Sequence, residues 1–249
     1  MRKSILIFLF CTIFLFPLIA QSEIALPMET ASSVTIGFEN DFWEKTDRYF
    51  TNGISFYHTD QFYSKSPLNF LFLSFGKPGE GIQEYGIGII HNMYTPSNVK
   101  DLTLQEGDRP FASYLVLEEY KIWINPETKF RLRSEFHLGL IGSYAFGEEV
   151  QSFIHKITPS RDPQGWYKQV DNDLVVNYNM YFSKGQIVTR NFEWILNGCL
   201  QLGTLYSSYS LGMGFRGGKL NPYFESLVPA SFLQKGEWHF ALSYDIAAK

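Results

Sequence analysis

The sequence predicts an all-β chain, an antiparallel up-and-down transmembrane β-barrel with one short helix in an outer loop. Three observations predict it. Apolar and polar residues alternate with period two along many segments. Several of these segments run to about ten residues, the length a tilted strand needs to cross the hydrocarbon layer. The chain also opens on an export leader and cannot form an internal disulfide afterwards.

The leader comes first. Arg2 and Lys3 precede an apolar run from Ile5 to Ala20, followed by Gln21 and Ser22. A charged start, an apolar middle and small residues at the exit make residues 1–22 a cleaved signal peptide, with the mature domain spanning 23–249. The run is shorter than the roughly 20 residues of a spanning helix, and Pro17 interrupts it. Cys11 follows bulky Phe10 inside the run, which argues against lipoprotein attachment, and Cys199 is the only cysteine left. Removing Arg2 and Lys3 leaves 19 basic against 25 acidic residues, so neither charge nor compartment suits nucleic acid. Aromatic residues make up 17%, which in an exported chain of short alternating segments fits a secreted β-sandwich or a membrane barrel.

Alternation favours the barrel. Phe130, Leu132, Phe136, Leu138 and Leu140 share one face, with Arg131, Arg133, Glu135, His137 and Gly139 opposite. Leu174, Val176, Tyr178, Met180 and Phe182 oppose Asn177, Asn179 and Tyr181; Phe192, Trp194, Leu196, Leu200 and Leu202 oppose Glu193, Asn197 and Gln201. Sandwich strands are usually about five or six residues long and do not need charged residues in rows. A barrel lumen accounts for both the length and the rows. Tyr57, Tyr120, Trp123, Tyr181 and Phe182 fall near strand ends, where aromatic girdles form. Nine strands are expected: 34–39, 52–59, 83–92, 112–124, 129–142, 173–183, 188–202, 206–217 and 238–246. Asn125–Thr128 and Lys184–Gln186 read as short turns. A barrel chain starting in the periplasm places the connections 40–51, 93–111 and 143–172 outside and the long connection 60–82 on the periplasmic side.

The outer connections hold the chemistry. Asn40, Asp41, Asp47, Arg48 and Thr51 crowd the first, an oxygen-rich set that suits a hard cation such as calcium or, more simply, a solvated turn. In the third, Val150, Phe153, Ile154 and Ile157 recur at helical spacing, with Glu148 and Glu149 in the first turn and Pro159 as the stop. His155 lies on that helix one turn after Gln151, a candidate general base. Gly212–Gly217 matches GxGxxG but alternates like a strand, no Gly-x-Ser-x-Gly elbow is present, and the histidines show no zinc-ligand spacing.

These motifs, taken in order, resemble a known family. Glu39-Asn40-Asp41, Thr46-Asp47-Arg48-Tyr49-Phe50-Thr51-Asn52-Gly53, Tyr94-Thr95-Pro96, Asp108-Arg109-Pro110-Phe111-Ala112, Glu149-Val150-Gln151 through His155, and Gly165-Trp166 are similar to the outer-membrane lipid A 3′-O-deacylases. The resemblance runs from about residue 33 to about residue 220. It implies a twelve-stranded barrel in the cell outer membrane with a calcium-dependent site between its wall and a loop helix. It also implies hydrolysis of the ester-linked acyl chains at the 3′ position of lipid A in lipopolysaccharide, by a monomer. His155 would activate water; Asn40, Asp41 and Thr51 would complete the catalytic set, with Asp41 as metal ligand. Lys100 and Arg109 would meet a lipid A phosphate, although the adjacent Lys-Arg pair of active members is absent here. Nine strand candidates against twelve imply that this chain lacks the family's last strands. The alternative to the enzyme is a non-catalytic outer-membrane barrel.

Overall fold

The computed structural model describes residues 32–40, 49–75, 80–97, 108–157, 165–220, 223–225 and 238–248. The expected signal peptide, Asp41 and Lys100 lie outside them, and of Asn40 only the backbone is described. The strands are β1 (Ser33–Asn40), β2 (Tyr49–Thr59), β3 (Ile82–Thr95), β4 (Ala112–Asn125), β5 (Phe130–Ile141), β6 (Asp173–Val188), β7 (Phe192–Gly203), β8 (Ser208–Lys219) and β9 (Trp238–Ala248). They form one antiparallel sheet in sequence order, each paired with its chain neighbours. All nine expected strands are present, and the GxGxxG stretch lies within β8. One α-helix, α1 (Gly147–Ile157), lies between β5 and β6.

Register separates the two faces. Ile36, Phe56, Ile89, Leu117 and Leu138 are cross-strand neighbours from β1 to β5. This apolar row is exposed, Ile36 by 73% and Leu117 by 60%, whereas Glu118 and Glu135 on the opposite face are only 3% and 6% exposed. A water-soluble sheet sorts its residues the other way round.

Much of the buried polar face is paired within the protein. Arg133 donates to Glu118 at 2.6 Å and also to Glu135, and its guanidinium lies 4.1 Å from the centre of the Tyr120 ring. Arg216 pairs with Glu193 at 2.6 Å. Between β8 and β9, Phe224 inserts among Tyr120, Ile122, Ile124 and Ile195, and Tyr223 lies beneath Arg131 and Arg216.

Two expectations are corrected. Lys184–Gln186 is not a turn: β6 runs through it with a register shift between Gly185 and Ile187, Gly185 donating to the Lys129 carbonyl. The reversal comes later, where the Thr189 N–H donates to the Phe192 carbonyl at 2.8 Å and the Thr189 hydroxyl both donates to that carbonyl and accepts from the Phe192 N–H. Tyr57, Tyr120 and Tyr181 do not belong to an outward girdle. Tyr57 and Tyr120 pack edge to face on the polar side, and Tyr181 is the register partner of Arg133. Tyrosine satisfies the alternation rule on either face, so its position near a strand end did not fix its direction.

Candidate active site on the apolar face

Asn40, Asn52, Met93 and Ser113 form one cross-strand row over β1, β2, β3 and β4. The row lies on the apolar side, two residues along β2 from Ile54 and four from Phe56. At its edge the β2–β3 register shifts between Phe50 and Asn52, a bulge that releases Thr51 from the ladder. Thr51 Oγ1 then lies 2.7 Å from Thr95 Oγ1, and both residues are buried.

Helix α1 covers this row. Gly142, at φ +94°, turns the chain out of β5 while its N–H donates to the Ser113 carbonyl at 2.9 Å. The Asn172 side-chain oxygen accepts from the Ser143 hydroxyl and the Tyr144 N–H, tying the start of the connection to its end. His91 Nε2 donates to the Ala145 carbonyl at 2.8 Å, joining β3 to the turn before the helix. Gly147 permits close contact: a Cβ there would lie 2.5 Å from Ser113 Oγ and from the Trp166 ring. The helix's inner face packs Val150 and Ile154 onto a buried cluster of Met93, Phe111 and Trp166.

Gln151 and His155 are buried on the same helix, one turn apart. Gln151 Oε1 accepts from Trp166 Nε1 at 2.7 Å, which fixes the amide orientation and leaves its buried Nε2 unpartnered. Asn52 is 1% exposed, and neither its amide nitrogen nor its oxygen has a partner. Unpaired buried amides of this kind cost roughly 1–3 kcal/mol each, so their retention points to a ligand or a reaction. The structure places buried Thr51 in the bulge and buried His155 on the covering helix, and puts the backbone of Asn40 in the row beside Asn52. Asn52, Thr95 and Gln151 had been visible only as members of motifs. Their signal is spatial: register and burial, with missing partners at the Asn52 and Gln151 amides.

Arg109 is exposed, next to a clip that joins the two described ends of the β3–β4 connection. Asp108 Oδ2 accepts from the Ser97 N–H at 2.8 Å and from its hydroxyl at 2.7 Å. These bonds hold the Asp108 carboxyl below its usual range.

The opposite face carries a different cluster. Glu118, Glu135 and His137 bring one ligand atom each within 4.8 Å of one another and could hold a metal ion. One histidine, His137, therefore does take part in a ligand-like group, completed across strands by Glu118 opposite it. Its imidazole nitrogen suits a transition metal better than calcium, and Arg133 already shares both carboxylates. It is separated from His155 by the sheet itself.

The chain is similar to a solved structure, "LpxR from Salmonella typhimurium", at 19% identity and a TM-score of 0.59. The match covers 76% of this chain but 64% of that one, so this chain spans just under two-thirds of that structure's length. No curated protein sequence matches it. A family model described as "Outer membrane protein LpxR" matches residues 6–248. With that match over nearly its whole length, and the antiparallel sheet and covering helix in place, the chain belongs to the outer membrane protein LpxR family.

Proposed function

We propose that this protein is a calcium-dependent outer-membrane esterase, a monomeric barrel that hydrolyses the 3′-linked acyl chains of lipid A. The observation that carries the reading is the buried group Thr51, Asn52, Gln151 and His155 on the lipid-type face of the sheet. A lipid substrate meets that face without leaving the membrane. The unpaired amide atoms there suit an ester carbonyl and a cation better than a packing role.

In this mechanism a His155 ring nitrogen takes a proton from water as the water oxygen attacks the ester carbonyl carbon. The carbonyl becomes an oxyanion, which the Gln151 Nε2 and Asn52 Nδ2 donors can meet. Collapse breaks the bond to the sugar oxygen, and the imidazolium returns its proton to that oxygen. The products are a free fatty acid and the 3′-hydroxyl. Asn40, Asp41, Thr51 and the Asn52 carbonyl oxygen provide a donor set of the kind calcium prefers. Calcium bound there would supply Lewis-acid polarisation of the carbonyl. Arg109 and Lys100 would hold a lipid A phosphate.

The test is a mass spectrum of lipid A from cells expressing the chain, with calcium or with chelator. Loss of one 3′ acyl unit, abolished by chelation and by His155→Ala, is expected. Unchanged lipid A with folded protein in the outer membrane would favour the non-catalytic barrel.

A further inference from the structure

The connection between β2 and β3 has no part in the chemistry above, yet it is folded. Asp60 caps a 3₁₀ turn over Gln61–Lys65 by accepting from the Phe62 N–H, and Ser66 caps a second over Pro67–Leu71 by accepting from the Leu68 N–H. The segment then lies back on the apolar face of the sheet. The His58 ring bonds the Tyr63 hydroxyl at 2.7 Å. Tyr178 on β6 donates to the Leu71 carbonyl, Lys121 on β4 to the Ser74 hydroxyl at 3.2 Å, and Trp123 to the Glu80 carbonyl at 2.9 Å. Phe75 packs edge-on against Trp123 and Phe130.

Its position follows from register. Tyr85, Lys121, Ser134 and Met180 form a row on the apolar side, and both Lys121 and Ser134 are buried. Lys121 is eight residues along β4 from Ser113 in the active-site row. That distance is about 27 Å along a strand, or about 20 Å of depth at a tilt near 40°. The exposed apolar row through Leu117 lies between the two. The segment therefore sits at the far edge of the apolar band. It shields a lysine that would be costly against lipid, and it turns its own phenylalanines outward, Phe70 being 80% and Phe62 69% exposed.

We propose that residues 61–75 are a membrane-seated belt, with Phe62, Phe70, Leu73 and Phe75 in the acyl chains of the periplasmic-side leaflet. The occupant is phospholipid. The exposed phenylalanines continue the apolar band of the strands, and exposed Lys65 supplies a cation for a headgroup phosphate. The proposal rests on the barrel reading and adds to it: a connection that topology assigns to the periplasm serves as the lower aromatic girdle.

The experiment uses the mature chain, without the leader that holds Cys11 and carrying Cys199→Ser, reconstituted in phosphatidylethanolamine–phosphatidylglycerol vesicles, with a nitroxide at Phe70→Cys and separately at Phe62→Cys. Collision with oxygen and with a water-soluble nickel chelate reads depth. Leu117→Cys on β4 and Glu127→Cys in the exposed β4–β5 turn are the lipid and water references. The oxygen-to-nickel ratio at both phenylalanine positions should match that at residue 117 and exceed that at residue 127 by about tenfold. Ratios like residue 127, with residue 117 lipid-exposed, overturn the belt alone. A water-accessible residue 117 overturns the barrel reading beneath it. Spin–spin broadening at residue 70 would make the occupant a second copy of the chain and also refute the proposal.

Discussion

Replacing Arg133 by Met tests whether the buried polar face is held by charge pairing. Its guanidinium donates to both Glu118 and Glu135, two carboxylates otherwise close enough to repel, while His137 Nε2 lies 3.2 Å from each. Removing one member of a buried pair typically costs about 3–5 kcal/mol, because the remaining charge keeps its desolvation penalty. The Arg133 side chain is 29% exposed, so solvent offsets part of this, and the expected loss is about 3 kcal/mol. With a urea slope near 2 kcal/mol per molar, the unfolding midpoint should fall on the order of 1.5 M. The assay is a urea titration of the folded full chain in detergent, followed by tryptophan fluorescence. Adding Glu118→Gln should recover part of the loss, since one stranded charge is then removed. A fall below about 1 kcal/mol would refute the pairing argument. So would a failure of the second substitution to recover anything.

Four further outcomes follow from the site. Asn52→Leu should stabilise the protein by about 1–2 kcal/mol in the same titration, since an unpaired buried amide disappears, while lipid A deacylation falls at least about a hundredfold; destabilisation would mean the amide is already satisfied. Gly147→Ala should loosen α1 from the sheet and cut deacylation about tenfold or more, with Ser113→Gly restoring part of it because the 2.5 Å approach to Ser113 is removed. The Asp108 carboxyl is held low by Ser97, so the Ser97–Asp108 clip should persist at all pH values above the unfolded carboxylate range near 4 and be lost as pH falls through the lowered folded value. The Ser97 amide proton shift, which should move only in that acid limb, reports this. Gln151→Glu should retain the Trp166 contact through its carboxylate yet depress turnover more than substrate binding, because the free Nε2 donor is lost.

Much of the fold was legible because one physical rule governs it. Period-two alternation records which side each residue meets, and Phe130–Leu140 kept its apolar and charged faces as read. The rule fails where both environments accept the same residue. Tyr57, Tyr120 and Tyr181 suit a girdle or a polar interior equally. Gly185 looked like a turn because glycine marks turns and strand irregularities alike. The candidate site is half legible in the residue types alone. Asn40, Thr51 and His155 stand out by type and motif, but Asn52 and Gln151 become informative only when register, burial and missing partners are known. Glu118 is a similar case: the sequence offers Glu135-x-His137, and only strand pairing brings the second carboxylate to it.

The placement of the two buried groups also separates their work. The Glu118–Arg133–Glu135–His137 group is charge-paired on the buried polar face of the sheet. Its bonds are made within the protein, so its contribution is to hold β4, β5 and β6 in register. Thr51 and Asn52 lie on the other face, at the rim of the apolar band, and Gln151 and His155 on the helix that covers them, fastened by Gly147, His91 and Trp166. The Asn52 amide and the Gln151 Nε2 have no partner there, where burial makes that costly. A fold can bear that cost where a substrate completes the bonds, and under the proposed function the ester of an outer-leaflet lipid would do so here. The division predicts different signatures: substitutions on the polar face should lower stability and leave turnover per folded molecule intact, whereas those at Asn52 and Gln151 should lower turnover without lowering stability.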